Sequence, residues 1–189
     1  APLDHPWFAP RPPPVLFGVG RLAAQKDFPT LIRAFARIRS RRPVRLMILG
    51  EGKKRRELEG LADSLGVRQD LALPGFEENP FAYMARATVF VLSSAYEGLP
   101  GVLIQAMASG CPVVSTDCPS GPMEILEHGS YGPLVPVGDD TAMAEAIQTV
   151  LDTPPSQERL RVRAAEFSMD RAVEQHLEVL FEVYRKSHV

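Results

Sequence analysis

The sequence predicts an α/β protein: a doubly wound, six-stranded parallel sheet flanked by helices, with a C-terminal helical tail. Two observations predict this fold. Short apolar runs of strand length alternate, from residue 15 to residue 151, with segments whose apolar residues recur at helical spacing. Glycines and prolines stand between these segments, where turns are expected.

The predicted strands are apolar runs too short to be helices. They lie at 15–19, 44–49, 71–73, 89–92, 113–116 and, as a weaker signal, 134–135. Because a helical segment separates each strand from the next, the connections are crossovers and the strands are expected to be parallel.

The predicted helices begin and end at recognisable residues. The first spans 28–39, with Asp27 as candidate N-cap and Pro29 in the first turn. A second helix contains Leu58 and ends at Gly66. Others are expected near 80–85, 100–109, 120–127 and 140–151, the last one capped by the Asp-Asp-Thr at 139–141.

Three regions follow from this pattern. Residues 1–14 are dense in proline and are interpreted as the remnant of an interdomain linker, so the domain itself is expected at 15–155. Residues 156–189 are predicted to be C-terminal helices with a break near 167–168. The last helix presents Ala172, Leu177, Leu180, Phe181 and Tyr184.

The composition excludes several classes of function. The net charge of −2 and the pI of about 6.1 argue against nucleic acid as a partner. Cys111 and Cys118 would lie about 20 Å apart if the run between them is a strand, too far to bridge, so free thiols and a cytoplasmic compartment are expected. The four histidines show no metal-ligand spacing, so no metal site is predicted.

The segment 93–110 carries the strongest candidate site. Glu97 follows a predicted buried strand, and a helix expected from about Pro100 would leave the N–H groups of Gly101 and Val102 unpaired and facing an anion. Gln105 would point back toward Glu97, so both could bind one polar ligand. The alternative is that Glu97 is a solvated loop acid and Gln105 a surface residue.

The loop after the first strand carries two cations. Residues 18–23 match the GxGxxG/A pattern, which makes Gly20 a candidate phosphate-binding residue, but the acid that dinucleotide enzymes carry about 20 residues later is replaced by arginines. Arg21 and Lys26 could instead bind a diphosphate at the same sheet edge as Glu97. The alternative is a pair of ordinary surface cations.

Two further features have structural explanations beside functional ones. The basic run at 53–56 is interpreted as a solvated helix face, with anionic lipid as the alternative ligand. Gly121, Pro122 and Glu124 are interpreted as a turn that caps a helix, with ligand contact as the alternative.

Several motifs then occur in one order: GVGRLAAQKD, LGEG, LPGF and EGLPGVLIQAMASGCPVVSTDCPSGPMEI. In this order they resemble the C-terminal half of retaining GT-B glycosyltransferases of family four, also called group 1, from about His5 to about Tyr184. The resemblance implies one Rossmann-like domain of two, the half that binds a nucleotide-diphospho-sugar donor. It further implies a preceding acceptor domain, absent here, and peripheral membrane contact of the whole enzyme at the inner face.

The resemblance also implies roles for individual residues. Arg21 and Lys26 match the cations that bind the donor diphosphate, and Glu97 matches the first acid of an E-x7-E pattern, which contacts the donor sugar. Gln105 stands at the second acid, which holds the ribose, so its hydrogen bonds would lack charge assistance. The backbone of Leu99, Gly101 and Val102 is expected at the sugar and phosphates, and the loop with Gly75 and Phe76 at the base.

The resemblance therefore implies the donor-binding half of a metal-independent, retaining glycosyltransferase with no cofactor, inactive alone, with a UDP-sugar as the default donor. Two alternatives stay open: a non-catalytic module that binds a nucleotide or sugar, and a nucleotide-sugar epimerase of related GT-B architecture.

Overall fold

The computed structural model describes residues 5–8, 13–169, 171, 173, 177, 178, 180 and 184. Its centre is a parallel sheet of six strands. They are β1 (Val15–Val19), β2 (Arg45–Leu49), β3 (Leu71–Gly75), β4 (Val89–Leu92), β5 (Val113–Thr116) and β6 (Leu134–Val135). The strand order is β3-β2-β1-β4-β5-β6, which confirms the predicted doubly wound sheet.

Seven α-helices are assigned among the described residues. They are α1 (Phe28–Arg39), α2 (Arg55–Ser64), α3 (Phe81–Met84), α4 (Gly101–Ala108), α5 (Pro122–Ile125), α6 (Asp140–Asp152) and α7 (Gln157–Ala165). Residues 169, 171, 173, 177, 178, 180 and 184 are also helical, as the tail pattern predicts, whereas Ala172 and Phe181 lie outside the described residues.

The helices cover both faces of the sheet, so alternate strand residues enter two separate cores. Leu16 and Ile48 belong to the core beneath α1, α2 and α6. Phe17 and Phe90 belong to the opposite core, beneath α3, α4, α5 and α7, where Phe17 stacks on Tyr83. The burial of strands on both faces explains why they read as unbroken apolar runs.

Two elements end two residues away from their predicted ends, each for a local reason. β3 extends two residues further than predicted, through Pro74 to Gly75, because it is an edge strand and the missing proline N–H removes no ladder hydrogen bond from the interior of the sheet. α5 ends at Ile125 rather than at residue 127, because Glu127 and His128 adopt φ angles of 46° and 53°, which a right-handed helix cannot include.

The part of the predicted linker that the structure describes packs on the domain. Pro6–Phe8 form a 3₁₀ turn, and Trp7 and Phe8 contact the core that contains Phe17. The Arg45 guanidinium lies 5.1 Å from the centre of the Trp7 ring, within cation–π range. Residues 1–4 and 9–12 of the predicted linker lie outside the described residues.

Both cysteines are buried free thiols, as predicted. Burial raises the pKa of the Cys111 thiol to about 12. No helix within the described part of the chain is long and apolar enough to cross a membrane.

Candidate functional site

The strand order places a crevice at the carboxyl edge of the sheet. β1 and β4 are neighbours, but α1 packs on one face of the sheet and α4 on the other, so the two loops that leave these strands diverge. A point where successive crossovers part in this way is where open α/β sheets bind ligands.

The loops after β1 and β4 are joined by hydrogen bonds. The Ala95 N–H donates to the Gln25 carbonyl at 2.8 Å, and the Gln25 side-chain amide donates to the Tyr96 carbonyl at 3.1 Å. The buried Ser93 hydroxyl donates to the Lys26 carbonyl at 2.7 Å. These bonds hold both loops in one arrangement and bring two predicted site residues together.

Lys26 and Glu97 form a direct ion pair in this crevice. The Lys26 ammonium donates to Glu97 Oε1, and the two side chains are only 15% and 9% exposed. Ser94, fully buried in the loop just after β4, donates its hydroxyl to the same oxygen at 2.5 Å. Glu97 is therefore a held carboxylate and not a solvated loop acid.

The loops after β1, β2 and β3 lie stacked side by side. The Gly20 N–H donates to the Leu49 carbonyl at 3.0 Å, and the Gly50 N–H donates to the Gly75 carbonyl at 2.7 Å. A Cβ at Gly50 would lie 2.0 Å from the Gly20 carbonyl oxygen, so only glycine permits this stacking.

An open cleft of about 500 Å³ lies above these stacked loops. Its lining comes from all three strand ends and comprises Val19, Gly20, Arg21, Leu49, Gly50, Glu51, Phe76, Glu77, Glu78 and Pro80. Arg21 is exposed and makes no ion pair with any acid that the structure describes, while Phe76 is 76% exposed. The cleft thus offers one available cation and one available aromatic face.

Glu51 differs from Arg21 because it already has a partner. Arg55 donates to both carboxylate oxygens, at 2.6 and 3.1 Å, and also to the Leu73 carbonyl at 2.9 Å. The hydrogen bond from Arg55 lowers the pKa of the Glu51 carboxyl. Within the basic run Lys54 also pairs with Glu57, so two of the four cations are occupied by acids.

The start of α4 departs from the expectation. Pro100 forms a tight turn in which the Gly101 N–H donates to the Leu99 carbonyl at 2.8 Å, so the prediction that this N–H is unpaired is wrong. The Val102 N–H has no backbone acceptor among the described residues. Leu99 is exposed, and Gln105 is half-buried in the second turn of α4.

A second cleft, of about 520 Å³, opens at the carboxyl end of β5. Its lining includes Gly121 and Glu124, which sequence reasoning named, and Asp117, Cys118 and His128, which it did not name as site residues. A Cβ at Gly121 would meet the ring of Pro100 at 2.4 Å, so this loop packs directly on the Glu97 loop.

The structure therefore brings together one part of the predicted site and adds to it. Lys26 contacts Glu97, and Gly20, Arg21 and Phe76 share the neighbouring cleft. Sequence reasoning missed Ser93 and Ser94. The signal was present as two polar residues directly after a wholly apolar strand, a position that usually faces the ligand edge of such a sheet.

Comparison with known proteins defines the class of protein to which this fold and this ligand edge belong. The model of the family "Glycosyl transferases group 1" matches residues 4–167, so the chain belongs to that family. The structural neighbours are GT-B glycosyltransferases, which agrees with the sheet order and the crevice described above.

Individual relatives match this chain over only about half or less of their own length. The chain is 35% identical over 185 residues to the lipopolysaccharide core biosynthesis glycosyltransferase LpsE of Rhizobium meliloti, covering 95% of this chain and 52% of LpsE. It is 38% identical over 137 residues to a diphospho-undecaprenol-directed N-acetylgalactosaminyltransferase of Campylobacter jejuni, covering 72% and 37% of the two chains. The chain thus spans about half or less of these relatives.

Solved structures agree. The lipopolysaccharide outer core galactosyltransferase WaaB superposes with a TM-score of 0.82 at 24% identity, covering 92% of this chain and 50% of WaaB. HepE of Anabaena, solved with UDP and glucose, superposes with a TM-score of 0.79 at 26% identity, covering 90% and 48% of the two chains.

Proposed function

We propose that this chain is the donor-binding, C-terminal half of a retaining glycosyltransferase of family four that uses a nucleotide-diphospho-sugar, with a UDP-sugar as the donor. The observation that carries the proposal is the Lys26–Glu97 pair at the divergence of the β1 and β4 loops. A cation for phosphate and a carboxylate for sugar hydroxyls stand there in contact, beside a cleft large enough for a nucleoside.

In this proposal the donor lies along the carboxyl edge in the order of the strands. The base occupies the cleft above β1, β2 and β3, against the exposed Phe76 ring and near Gly75. The diphosphate reaches Arg21 and Lys26, and the Leu99–Val102 backbone approaches the phosphates and sugar. The side-chain amide of Gln105, one turn into α4, forms hydrogen bonds with the ribose hydroxyls.

The chemistry takes place at the anomeric carbon of the sugar. The bond from this carbon to the diphosphate oxygen breaks, the acceptor hydroxyl oxygen bonds to the same carbon, and the hydroxyl proton passes to the leaving diphosphate. Negative charge grows on the leaving phosphate oxygens as the bond breaks. Arg21 and Lys26 stabilise that charge, as fixed cations do in other transfer reactions, and this is why we propose that no metal ion is needed. Glu97 accepts a hydrogen bond from a sugar hydroxyl and fixes the orientation of the ring.

The acceptor is proposed to bind in a preceding half of the same polypeptide. The coverage of about half or less of each relative supports this proposal. The present chain alone is therefore expected to bind donor without transferring sugar. Joined to that half, it should give a product whose anomeric configuration, read by NMR, equals that of the donor. Inversion would contradict the retaining mechanism.

Titration calorimetry with UDP tests the site. Arg21→Ala and Lys26→Gln should each weaken UDP binding by about tenfold or more, because each removes a charge-assisted hydrogen bond to phosphate. Lys26→Gln keeps a donor for Glu97 while removing the charge. Arg41→Ala is the matched control, since Arg41 is exposed and lies just before β2, at the amino edge of the sheet. Equal affinity in all four proteins would count against the proposal.

Activity assays on the whole polypeptide separate the remaining functions. If the whole polypeptide binds UDP-sugars but transfers sugar to no acceptor, it is a non-catalytic binding module. If it converts a nucleotide-sugar to its epimer without any acceptor, it is an epimerase.

A further inference from the structure

We propose that Ser94 is a positioning residue that anchors one oxygen of Glu97, so that the other oxygen is presented to a hydroxyl of the donor sugar. This inference rests on the proposed function, and it assigns a role to a residue outside the motifs that define the site.

The geometry around Glu97 is asymmetric. Oε1 accepts hydrogen bonds from both the Ser94 hydroxyl, at 2.5 Å, and the Lys26 ammonium. Among the described residues, no group donates to Oε2. An ionised carboxylate has about four acceptor positions, so two donors on one oxygen leave the second oxygen able to accept from a ligand.

Ser94 itself has little freedom. It is 0% exposed, so no bulk water competes for its hydroxyl proton, and a carboxylate is the strongest acceptor within its reach. Its carbonyl accepts a hydrogen bond of 2.6 Å from the Thr116 hydroxyl, and Thr116 is also 0% exposed. The anchor of Glu97 is thus tied to β5 as well as to β4.

The two donors to Oε1 are expected to respond differently to a diphosphate. Lys26 is a cation with three donor protons on a flexible chain, so an arriving diphosphate competes with Glu97 for it. The Ser94 hydroxyl is neutral and held by a buried backbone, so the diphosphate exerts no comparable attraction. Ser94 therefore keeps Glu97 in place while Lys26 turns toward the leaving group.

Calorimetry that compares sugar-bearing and sugar-free ligands tests this role. UDP, UDP-glucose, UDP-galactose and UDP-N-acetylglucosamine would be titrated into the wild type and Ser94→Ala. We expect the variant to lose about tenfold in affinity for the UDP-sugars and less than twofold for UDP, because only the sugar uses Glu97. Equal losses for UDP and for all three UDP-sugars, or no loss, would overturn the proposal.

Two matched variants separate the hydroxyl from packing. Ser115 is another fully buried serine, on β5. Its hydroxyl donates to the Thr116 carbonyl at 2.8 Å and to no other group among the described residues, so Ser115→Ala should leave the affinities for UDP and for the UDP-sugars unchanged. Ser94→Cys fills the same space with a weak donor and should behave like Ser94→Ala. Wild-type behaviour of Ser94→Cys would mean that Ser94 acts through volume alone, which would overturn the positioning role.

A measurement without ligand separates this inference from the function. If the wild type binds no UDP, the proposed function fails, but the contact between Ser94 and Glu97 can still be tested by urea unfolding of Ser94→Ala, Glu97→Gln and the double variant. The double variant should be destabilised less than the sum of the two single variants. Additive losses would show that Ser94 does not hold Glu97.

Discussion

The two halves of the ligand edge are built in opposite ways. Where the loops after β1 and β4 meet, Lys26 and Glu97 form a nearly buried ion pair that a buried serine supports. Above β1, β2 and β3, the loops leave an open cleft in which Arg21 and Phe76 stand exposed. One half is assembled in the free protein, whereas the other is expected to order its side chains on the ligand.

This difference has an energetic meaning. Glu97 is already held by Ser94 in the free protein, so its carboxylate loses little further side-chain freedom when a ligand binds, whereas an exposed arginine loses side-chain freedom at that moment. The half that contains Lys26, Ser94 and Glu97, called here the locked half, lies where the reacting sugar is proposed to bind and where the orientation of the ligand matters most. The open half would hold the nucleoside, for which a broad apolar contact is sufficient.

The largest effect is expected from Lys26→Ala, which tests the contrast between the locked half and the open half of the ligand edge. Because the variant leaves Glu97 almost buried without its cation, we expect the free energy of unfolding to fall by about 3 kcal/mol in urea titrations. Arg42→Ala removes an exposed ion pair, in which the side chains of Arg42 and Asp152 are 36% and 65% exposed. This variant should lower the free energy of unfolding by less than about 1 kcal/mol. Arg21→Ala should leave stability unchanged. Similar losses in all three variants would remove the distinction between a locked and an open half.

The next effect concerns the stacked loops that form the floor of the open half. Gly50→Ala should lower the free energy of unfolding by about 2 kcal/mol, because the new Cβ collides with the Gly20 carbonyl and the backbone has a φ of 133°. Gly60→Ala is the control. Gly60 lies within α2, and apart from the local helix backbone no atom lies within 4 Å of the new Cβ, so the substitution should raise stability by about 0.5 to 1 kcal/mol. Thermal unfolding monitored by circular dichroism would measure both, and a Gly50→Ala protein as stable as wild type would mean the floor is adaptable.

The smallest effect concerns the pH dependence of stability that arises from Cys111. This buried thiol lies just before β5, at the opposite end of that strand from the second cleft. The folded pKa of Cys111 is raised to about 12, above its ordinary value near 9, so its contribution to stability is complete below pH 9 and is lost as the pH rises toward 12. Between pH 8 and pH 10 the wild type should lose about 1.4 kcal/mol more than Cys111→Ala. Identical pH profiles from urea titrations would show that Cys111 is ionised as readily in the folded state as in the unfolded state.

Much of the fold could be predicted from residue patterns. The bounds of β1, β4 and α1 agree with those predicted, because each is set by a run of apolar residues and by local breakers. The prediction was wrong where tertiary position decided the outcome. β3 continues through Pro74 only because it lies at an edge of the sheet, a fact that the strand order supplies.

The location of the candidate site could be predicted from the sequence, but its side-chain and backbone contacts could not. Arg21, Lys26 and Glu97 follow predicted strands, so a shared carboxyl edge could be inferred. The contact between Lys26 and Glu97 could not, since 71 residues separate them and either could have projected into solvent. The bond from Gly101 to Leu99 depends on the backbone angles of Pro100, for which a helix pattern carries no signal.

By itself, the sequence determined which segments are strands and helices, and which polar residues stand at strand ends. These properties follow from local sterics and from the partition of side chains between water and core, which act over a few residues. The tertiary structure alone decided that β1 and β4 are neighbours, and so that Lys26, Ser94 and Glu97 share one buried contact. Strand order is the outcome of packing the whole chain at once, and no single segment carries it.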